Sequence, residues 1–143
     1  MSISRHQAKA CLWVPLTALL LFSLIPAGSL LLAVDATTPI ALTTPFPTLI
    51  NLAVEWEISG DDNFNGRVTV RYRKEGAGAW KEGMPLRRVR AGNSTATSPI
   101  FYWKNKHSGS IFDLEPDTGY EIELSLSDPD GGDVVRTVTA RTR

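Results

Sequence analysis

Cysteine and histidine are scarce in this sequence, and their scarcity limits the chemistry available to the chain. Its 143 residues include one cysteine, Cys11, and two histidines, His6 and His107. Because Cys11 lies in an apolar amino-terminal run, the rest of the chain has neither a disulfide nor a thiol nucleophile. A single histidine beyond that run cannot supply a typical zinc site, and its irregular surroundings offer no rigid base for a Ser–His–Asp triad. We therefore predict that the chain is not an enzyme.

An excess of charge of either sign is also lacking. Lysine and arginine together number 15, aspartate and glutamate also number 15, and the formal net charge at pH 7 is zero. The short cluster of Arg87, Arg88 and Arg90 is interpreted as the solvated face of a strand. This balance predicts no interaction with nucleic acid, which a basic patch would favour.

Charge is absent altogether from residues 10–34, which follow a basic start carrying Arg5 and Lys9. A basic start, an apolar run and small residues at its far end are typical of a secretory leader. We predict that residues 1–36 are a signal peptide, cut after Ser29 or Ala36. Without cleavage the run is long enough to span a bilayer and would be an amino-terminal anchor, the only membrane contact expected. The predicted location is secreted or in the cell envelope, with a membrane-anchored form as the alternative.

Alternation of apolar and polar residues dominates the chain after the leader. The Thr- and Pro-rich residues 37–46 predict a tether that leads into a first edge strand, and residues 47–143 predict a folded domain. Period-two alternation, typical of half-buried strands, occurs in three segments, residues 50–58, 68–72 and 120–126.

Shorter strands are expected between and after these segments. The sequence predicts a short strand near Trp80, an edge strand at residues 86–90 and a last strand at residues 134–141. Residues 93–110 lack periodicity and predict a long loop before a strand that starts at Ile111. Since no segment after the leader has a helical period, the predicted fold is all-β, a seven-stranded antiparallel β-sandwich.

One segment carries a recognisable signature. Leu114-Glu-Pro-Asp-Thr-Gly-Tyr120 resembles the L-x-P-x-T-x-Y motif at the E–F corner of fibronectin type III domains. Outside the motif, Trp56 is similar to that family's strand B tryptophan, VRYR is similar to its strand C, and TVTART is similar to its closing strand. The resemblance covers nearly the whole chain after the leader and implies an immunoglobulin-like sandwich. Its signature positions are Trp56, Tyr72, Leu114, Pro116, Thr118 and Tyr120.

The resemblance implies two contacts. The Tyr120 hydroxyl is expected to bond to backbone a few residues upstream while its ring is buried. Strands C and F are neighbours in this fold, so Arg71 and Arg73 should meet Glu121 and Glu123 across the ladder. Residues 93–110 depart from the family because they exceed its usual D–E connection.

Acidic and amide side chains are concentrated in two predicted turns. DDNFNG at residues 61–66 begins like a D-x-N-x-N-G calcium loop, but Tyr72 stands where an EF-hand requires glutamate, which excludes that motif. In fibronectin type III topology the B–C and F–G loops share a pole, which makes a calcium site there the one candidate cofactor site. Its ligands would be Asp61, Asp62, Asn63, Asn65, Asp128, Asp130 and Asp133. The alternative is ordinary turns, in which these side chains bond to local backbone.

Aromatic residues form a second candidate site. Phe101, Tyr102 and Trp103, with the more distant Trp80, are candidates for a platform on which a sugar ring stacks. The alternative is packing at an edge of the sandwich.

A narrower resemblance bears on function. WEISGDDN, VRYR and GSIFDLEPDTGYEIELSLSDPDGG are similar to the module that precedes right-handed parallel β-helix domains in secreted, polysaccharide-associated bacterial proteins. This implies a non-catalytic spacer, docking or accessory domain whose partner is another protein domain or a cell-surface glycan. We also predict that the chain is a monomer. One alternative is a carbohydrate-binding module that uses exposed aromatics. The other is the amino-terminal accessory domain of a truncated secreted enzyme, a polysaccharide lyase or a metallophosphatase.

Overall fold

Strands form where side chains alternate between an apolar and a polar face. The computed structural model describes residues 34–96 and 98–143, and in them ten strands are found. In chain order they are β1 (Thr38–Thr43), β2 (Leu52–Ser59), β3 (Arg67–Lys74), β4 (Lys81–Glu82), β5 (Arg87–Val89), β6 (Gly92–Asn93), β7 (Tyr102–Trp103), β8 (Lys106–Ile111), β9 (Gly119–Ser127) and β10 (Val134–Arg141).

The strands form two four-stranded antiparallel sheets. The first has the order β1-β2-β8-β5, and the second has the order β10-β9-β3-β4. Strands β6 and β7 form a separate two-stranded ribbon. No helix is found among the described residues. The described part of the chain is therefore an all-β antiparallel sandwich, as predicted, and its short strands bring the number of strands found there above seven.

The core lies between the inward faces of the two sheets. Strand β2 contributes alternate side chains that are at most 2% exposed, and the facing strands β3 and β9 contribute theirs in the same way. Each such side chain contributes roughly 1.5–3 kcal/mol through burial. The largest cluster consists of Leu52, Val54, Trp56, Val68, Val70, Leu86, Ile111, Leu114, Tyr120, Ile122, Leu124 and Leu126.

Two ion pairs fix the ladder between β3 and β9. The register places Arg71 opposite Glu123 and Arg73 opposite Glu121. Arg71 Nε lies 2.6 Å from Glu123 Oε1, and Arg73 Nη2 lies 2.6 Å from Glu121 Oε2. The predicted pairing across this ladder is confirmed, and because the pairs lie at the surface they add little stability and mainly favour this register.

The segment predicted as a long loop is more regular than expected. Strand β8 starts at Lys106 rather than at Ile111, and it pairs with β2 on one side and β5 on the other. The alternation of apolar and polar residues in β8 is not visible in the sequence, because two of its inward positions are not apolar side chains. They hold His107, which is 1% exposed, and Gly109, against which Leu86 packs. The expectation that His107 lies in an irregular segment was therefore wrong.

The corner before β9 has the geometry implied by its motif. The Glu115 N–H donates to Tyr120 Oη at 2.9 Å, and Tyr120 is 3% exposed. Thr118 Oγ1 donates to the Pro116 carbonyl at 2.8 Å. Thr142 Oγ1 donates to the Glu115 carbonyl at 2.6 Å, which ties the corner to the end of the chain. The predicted hydroxyl contact of Tyr120 is confirmed.

The segment ahead of β1 packs tightly against the domain. The Val34 N–H donates to Asp62 Oδ2 at 2.9 Å, and the Thr37 N–H donates to the Gly131 carbonyl at 3.0 Å. A Cβ on Gly60 would lie 2.1 Å from the Ala36 carbonyl oxygen, so only glycine permits this approach. Residues 34–37 are thus part of the folded unit, although they were predicted as the end of the leader and the start of a tether.

The rest of the predicted leader, residues 1–33, lies outside the described residues. In the part of the chain that is described, no helix has the length and apolar character needed to cross a membrane.

Tyr120→Phe should reduce the free energy of unfolding by about 1 kcal/mol, because the Glu115 N–H loses its acceptor. Tyr102→Phe is the matched control, since Tyr102 is 76% exposed, and it should change stability by less than about 0.5 kcal/mol. Urea unfolding followed by tryptophan fluorescence measures both. Equal effects of the two substitutions would contradict the role given to the corner.

Candidate functional site

An open cleft of about 250 Å³ lies on the outer face of the first sheet. Strands β1, β2 and β8 of this sheet contribute residues to its lining, and so do the ribbon and the link between the ribbon and β8. The lining residues are Ala41, Thr43, Glu55, Glu57, Tyr102, Trp103, Lys104 and Lys106. Its volume is near the lower limit for small-molecule sites, about 300 Å³. The cleft is therefore suited to one small ring at a time.

The polar groups of the cleft are paired with one another. Lys104 Nζ lies 2.8 Å from Glu57 Oε2, and Lys106 forms an ion pair with Glu55. Glu55 and Glu57 share the outward face of β2 because they are two residues apart. The register places Lys106 directly opposite Glu57, beside both carboxylates. The cleft thus presents charge-bearing donors and acceptors side by side.

The Trp103 ring is held in place on the ribbon. Its Nε1 donates to the Arg90 carbonyl at 2.8 Å, and the ring lies against Gly92. A Cβ on Gly92 would lie 2.9 Å from Trp103 Cζ2, a distance too short for any larger residue at that position without movement of the ring. Trp103 remains 39% exposed and its neighbour Tyr102 76% exposed. The two aromatic side chains therefore offer accessible surface, and at least Trp103 has a fixed orientation.

Trp80 lies elsewhere. The guanidinium of Arg73 lies 4.4 Å from the centre of its ring and that of Arg71 lies 5.0 Å away, on the outer face of the second sheet. Cation–π contacts of this kind are worth about 0.5–1 kcal/mol at exposed sites. The structure therefore brings Tyr102 and Trp103 together but separates Trp80 from them. Phe101 is 60% exposed and is not among the residues that line the cleft.

The two acidic turns do converge at one end of the sandwich, which we name the loop pole and which consists of residues 60–66 and 128–133. Asn63 Nδ2 donates to Asp130 Oδ2 at 2.7 Å, and Asn65 Nδ2 donates to the same oxygen at 2.6 Å. These hydrogen bonds, from Asn63 first and then from Asn65, hold the pKa of the Asp130 carboxyl below its ordinary value. The predicted approach of the two loops is thus present.

The remaining carboxylates at the loop pole have donors within the protein. Asp62 accepts from Val34 N, Asp128 accepts from Thr37 Oγ1 and Asp130 N, and Asp133 accepts from Asp128 N at 2.7 Å. In the part of the chain that the structure describes, no group of three or more His, Cys, Asp or Glu side chains is placed to hold a metal. Calcium binding at this pole stays a prediction, and it would require these contacts to be exchanged for the ion.

Asp61 belongs to a buried ion pair that the sequence did not reveal. Its side chain is fully buried, accepts from Gly66 N at 3.0 Å and pairs with Arg88 Nε. Arg88 also donates to the Asn105 side chain and, through Nη2, to the Asp61 carbonyl at 3.2 Å. The interpretation of Arg88 as part of a solvated face was wrong, because its side chain is only 11% exposed.

His107 lies opposite Arg88 in the ladder between β5 and β8. Neither ring nitrogen of His107 has a hydrogen-bond partner among the described residues. Burial lowers the pKa of His107, the positive charge of Arg88 lowers it further, and the carboxylates of Asp61 and Asp128 act in the opposite direction. The imidazole is therefore neutral near pH 7, without the hydrogen-bonded partner that a general base would need.

Sequence reasoning missed the roles of Thr37, Arg88, Asn105 and His107. Each makes its main contacts with residues distant in the sequence, as between Arg88 and Asp61 or between Thr37 and Asp128. The sequence offered one signal of such a role: Arg88 is a charged residue at an inward position of the edge strand predicted at residues 86–90.

No family model matches the chain, and no curated protein matches it. A solved structure of a computationally redesigned β-sandwich protein is 16% identical, with a TM-score of 0.39, and the match covers 73% of this chain and 95% of that one. The description of this chain as a β-sandwich follows from its own strand pairing.

Arg88→Met should reduce the free energy of unfolding by about 3–5 kcal/mol, because it leaves the Asp61 charge buried and unpaired. Arg87→Met, at an exposed position of the same strand, is the control and should cost less than about 0.5 kcal/mol. Adding Asp61→Asn to Arg88→Met should recover part of the loss. Denaturant unfolding measures all three, and equal losses at the two arginines would contradict the assignment.

Stability should fall as the pH is lowered below about 6.5, the ordinary pKa of histidine. Because the pKa of His107 is lower in the folded state, the unfolded chain binds the proton first, so stability is complete above that pH and declines below it. The limiting slope is about 1.4 kcal/mol per pH unit. Denaturant unfolding at a series of pH values measures it, and His107→Leu should flatten the profile between pH values of about 7 and 5. If stability depends on pH in His107→Leu as it does in the wild type, other titrating groups cause the loss of stability at low pH.

Proposed function

We propose that this chain is a non-catalytic, extracytoplasmic accessory module of the fibronectin type III kind that binds a surface glycan in the cleft on its first sheet. The observation that carries the proposal is the position of Tyr102 and Trp103 beside a floor of paired carboxylates and ammonium groups. An aromatic side chain packs against the apolar face of a sugar ring. The hydroxyl groups of the sugar need hydrogen-bond donors and acceptors nearby. The cleft offers both.

The orientation of Trp103 supports binding rather than incidental exposure. A ring held by a hydrogen bond to Arg90 and by contact with Gly92 loses little freedom when a ligand stacks on it. Preorganisation of this kind increases affinity, because less side-chain entropy is lost on binding.

Membership of the fibronectin type III kind is supported by the corner at Tyr120 and by the buried Trp56 of β2. The resemblance to modules that precede β-helix domains supports a place in a polysaccharide-associated protein. On this proposal the glycan site attaches a neighbouring domain or enzyme to its surface.

The edges of the sheets support a monomer. Strand β1 contains Pro39 and an irregular register between Pro39 and Ala41. On β10 the charged Arg136 lines the groove between β1 and β10 beside Pro39 and Val138. Proline, irregularity and inward-pointing charge on edge strands all oppose edge-to-edge pairing.

Titration of the purified protein with neutral and acidic oligosaccharides, followed by tryptophan fluorescence and calorimetry, tests the proposal. We expect saturable binding that Trp103→Ala weakens by about tenfold or more, since an anchoring tryptophan typically accounts for at least 1.4 kcal/mol. Gly92→Ala should also weaken binding, because the added methyl group displaces the Trp103 ring.

Trp80→Ala is the matched control, since it removes a tryptophan from the other sheet and should leave affinity unchanged. Far-ultraviolet circular dichroism verifies that each variant is folded. Absence of binding by the wild type, or equal affinity of wild type and Trp103→Ala, would refute the glycan site and leave a role as spacer or docking domain.

A further inference from the structure

We infer that the cleft on the first sheet is built for neutral glycans rather than for uronic-acid polymers or amino sugars. This inference rests on the proposed function and names the ligand class of the same site. It derives from the charges in the cleft, which are two carboxylates and two ammonium groups, each paired with one of opposite sign. The cleft therefore has no net charge with which to attract an ionic sugar.

A uronate in the cleft would meet carboxylates as well as lysines. To pair with Lys104, its carboxylate would have to share the ammonium group with Glu57, which lies 2.8 Å from it. The negative charges of the ligand and of Glu57 would then lie side by side. The attraction to Lys104 is therefore offset by a repulsion between like charges.

An amino sugar meets the reverse obstacle. Its ammonium group could pair with Glu55 only by sharing that carboxylate with Lys106, whose side chain is 19% exposed. Two positive charges would then lie side by side at a partly buried position, where water and salt screen their repulsion little. Both classes of ionic sugar are thus disfavoured by the same pairs.

A neutral sugar can use these pairs without breaking them. A hydroxyl group donates one hydrogen bond and accepts others, so adjacent hydroxyls can donate to Glu57 and accept from Lys104 at the same time. The Lys104 side chain is 73% exposed, so its ion pair is weak and its donors are within reach of a ligand. The apolar face of the ring then stacks on an aromatic side chain, a contact that needs no ionic group.

No further cation contributes to the cleft among the described residues that line it. The nearby Arg90 provides only its carbonyl, as the acceptor for Trp103 Nε1. Its guanidinium group lies 5.0 Å from the centre of the Phe64 ring. Arg90 therefore adds no positive charge to the cleft, in which two carboxylates balance two ammonium groups.

A pair of charge-altering variants tests the inference. The probes are cello- and manno-oligosaccharides as neutral glycans, oligogalacturonate as the uronate and chito-oligosaccharide amines as the cationic glycan, all titrated by calorimetry. The wild type should bind a neutral probe, with affinity that changes less than about twofold between about 0.05 M and about 0.5 M NaCl, because no net charge is involved.

Glu57→Gln leaves Lys104 unpaired, so this variant should gain binding of oligogalacturonate that salt abolishes. Lys104→Gln is the matched control, because it changes the charge of the cleft in the opposite direction. This variant should not gain binding of oligogalacturonate. Trp103→Ala in each background shows whether the binding is in the cleft.

The outcomes separate this inference from the proposed function. Binding of oligogalacturonate or of the amine by the wild type, lost in Trp103→Ala and stronger than that of any neutral probe, overturns the ligand class but retains the glycan site. Binding of no probe, or binding that Trp103→Ala does not affect, overturns both. Neutral binding at the cleft together with the gain in Glu57→Gln supports both.

Discussion

The pairing of β2 with β8 is the constraint on which the rest of the structure depends. Strand β2 faces the core with one set of alternate side chains, including Trp56, and faces the cleft with the other, Glu55 and Glu57. Its register with β8 places Trp56 opposite His107 and Glu57 opposite Lys106. A slip of one residue would exchange the two faces and destroy the core and the cleft together. The hydrophobic core therefore specifies the arrangement of the polar site.

The loop pole completes the sandwich in a different way. Where the apolar core ends, buried polar groups satisfy one another through the pairs Asp61–Arg88 and Asp128–Thr37. Because removing charges from water is expensive, such pairs give little net stability, but they restrict the loops to conformations that supply every partner. Among the described residues, the exceptions at this end of the molecule are Asn65 Oδ1 and the two ring nitrogens of His107, which have no hydrogen-bond partner.

Alternation and one motif predicted those parts of the fold that follow a local rule. Strands β2, β3 and β9, the ladder of Arg71 and Arg73 with two glutamates, and the contact of Tyr120 were all accessible from sequence. Strand β8 was not, because its inward positions hold a histidine and a glycine where the rule expects apolar side chains. Alternation placed Arg88 at an inward position of its predicted strand, but it could not identify the partner that a buried charge requires, Asp61, which lies 27 residues before Arg88.

The candidate site, like the fold, could be predicted from the sequence only in part. Sequence identified Tyr102 and Trp103 as neighbours, but it could not separate them from Trp80, because the choice of sheet depends on strand pairing distant in the chain. It also gave no sign that glutamates of β2 lie beneath them, since those residues precede Trp103 by more than 40 positions. A surface of this kind is assembled by topology rather than by a contiguous motif.

The packing of Thr37 has a mechanical consequence. Its backbone joins the Gly131 carbonyl and its hydroxyl joins Asp128, both in the loop that follows β9, whereas the next residue starts the edge strand of the opposite sheet. One residue thus fastens the two halves of a sandwich whose described part has no cysteine. Tension applied at the amino-terminal side would load the hydrogen bonds between Val34 and Asp62 first, and then those of Thr37, before it reached the β1–β2 ladder.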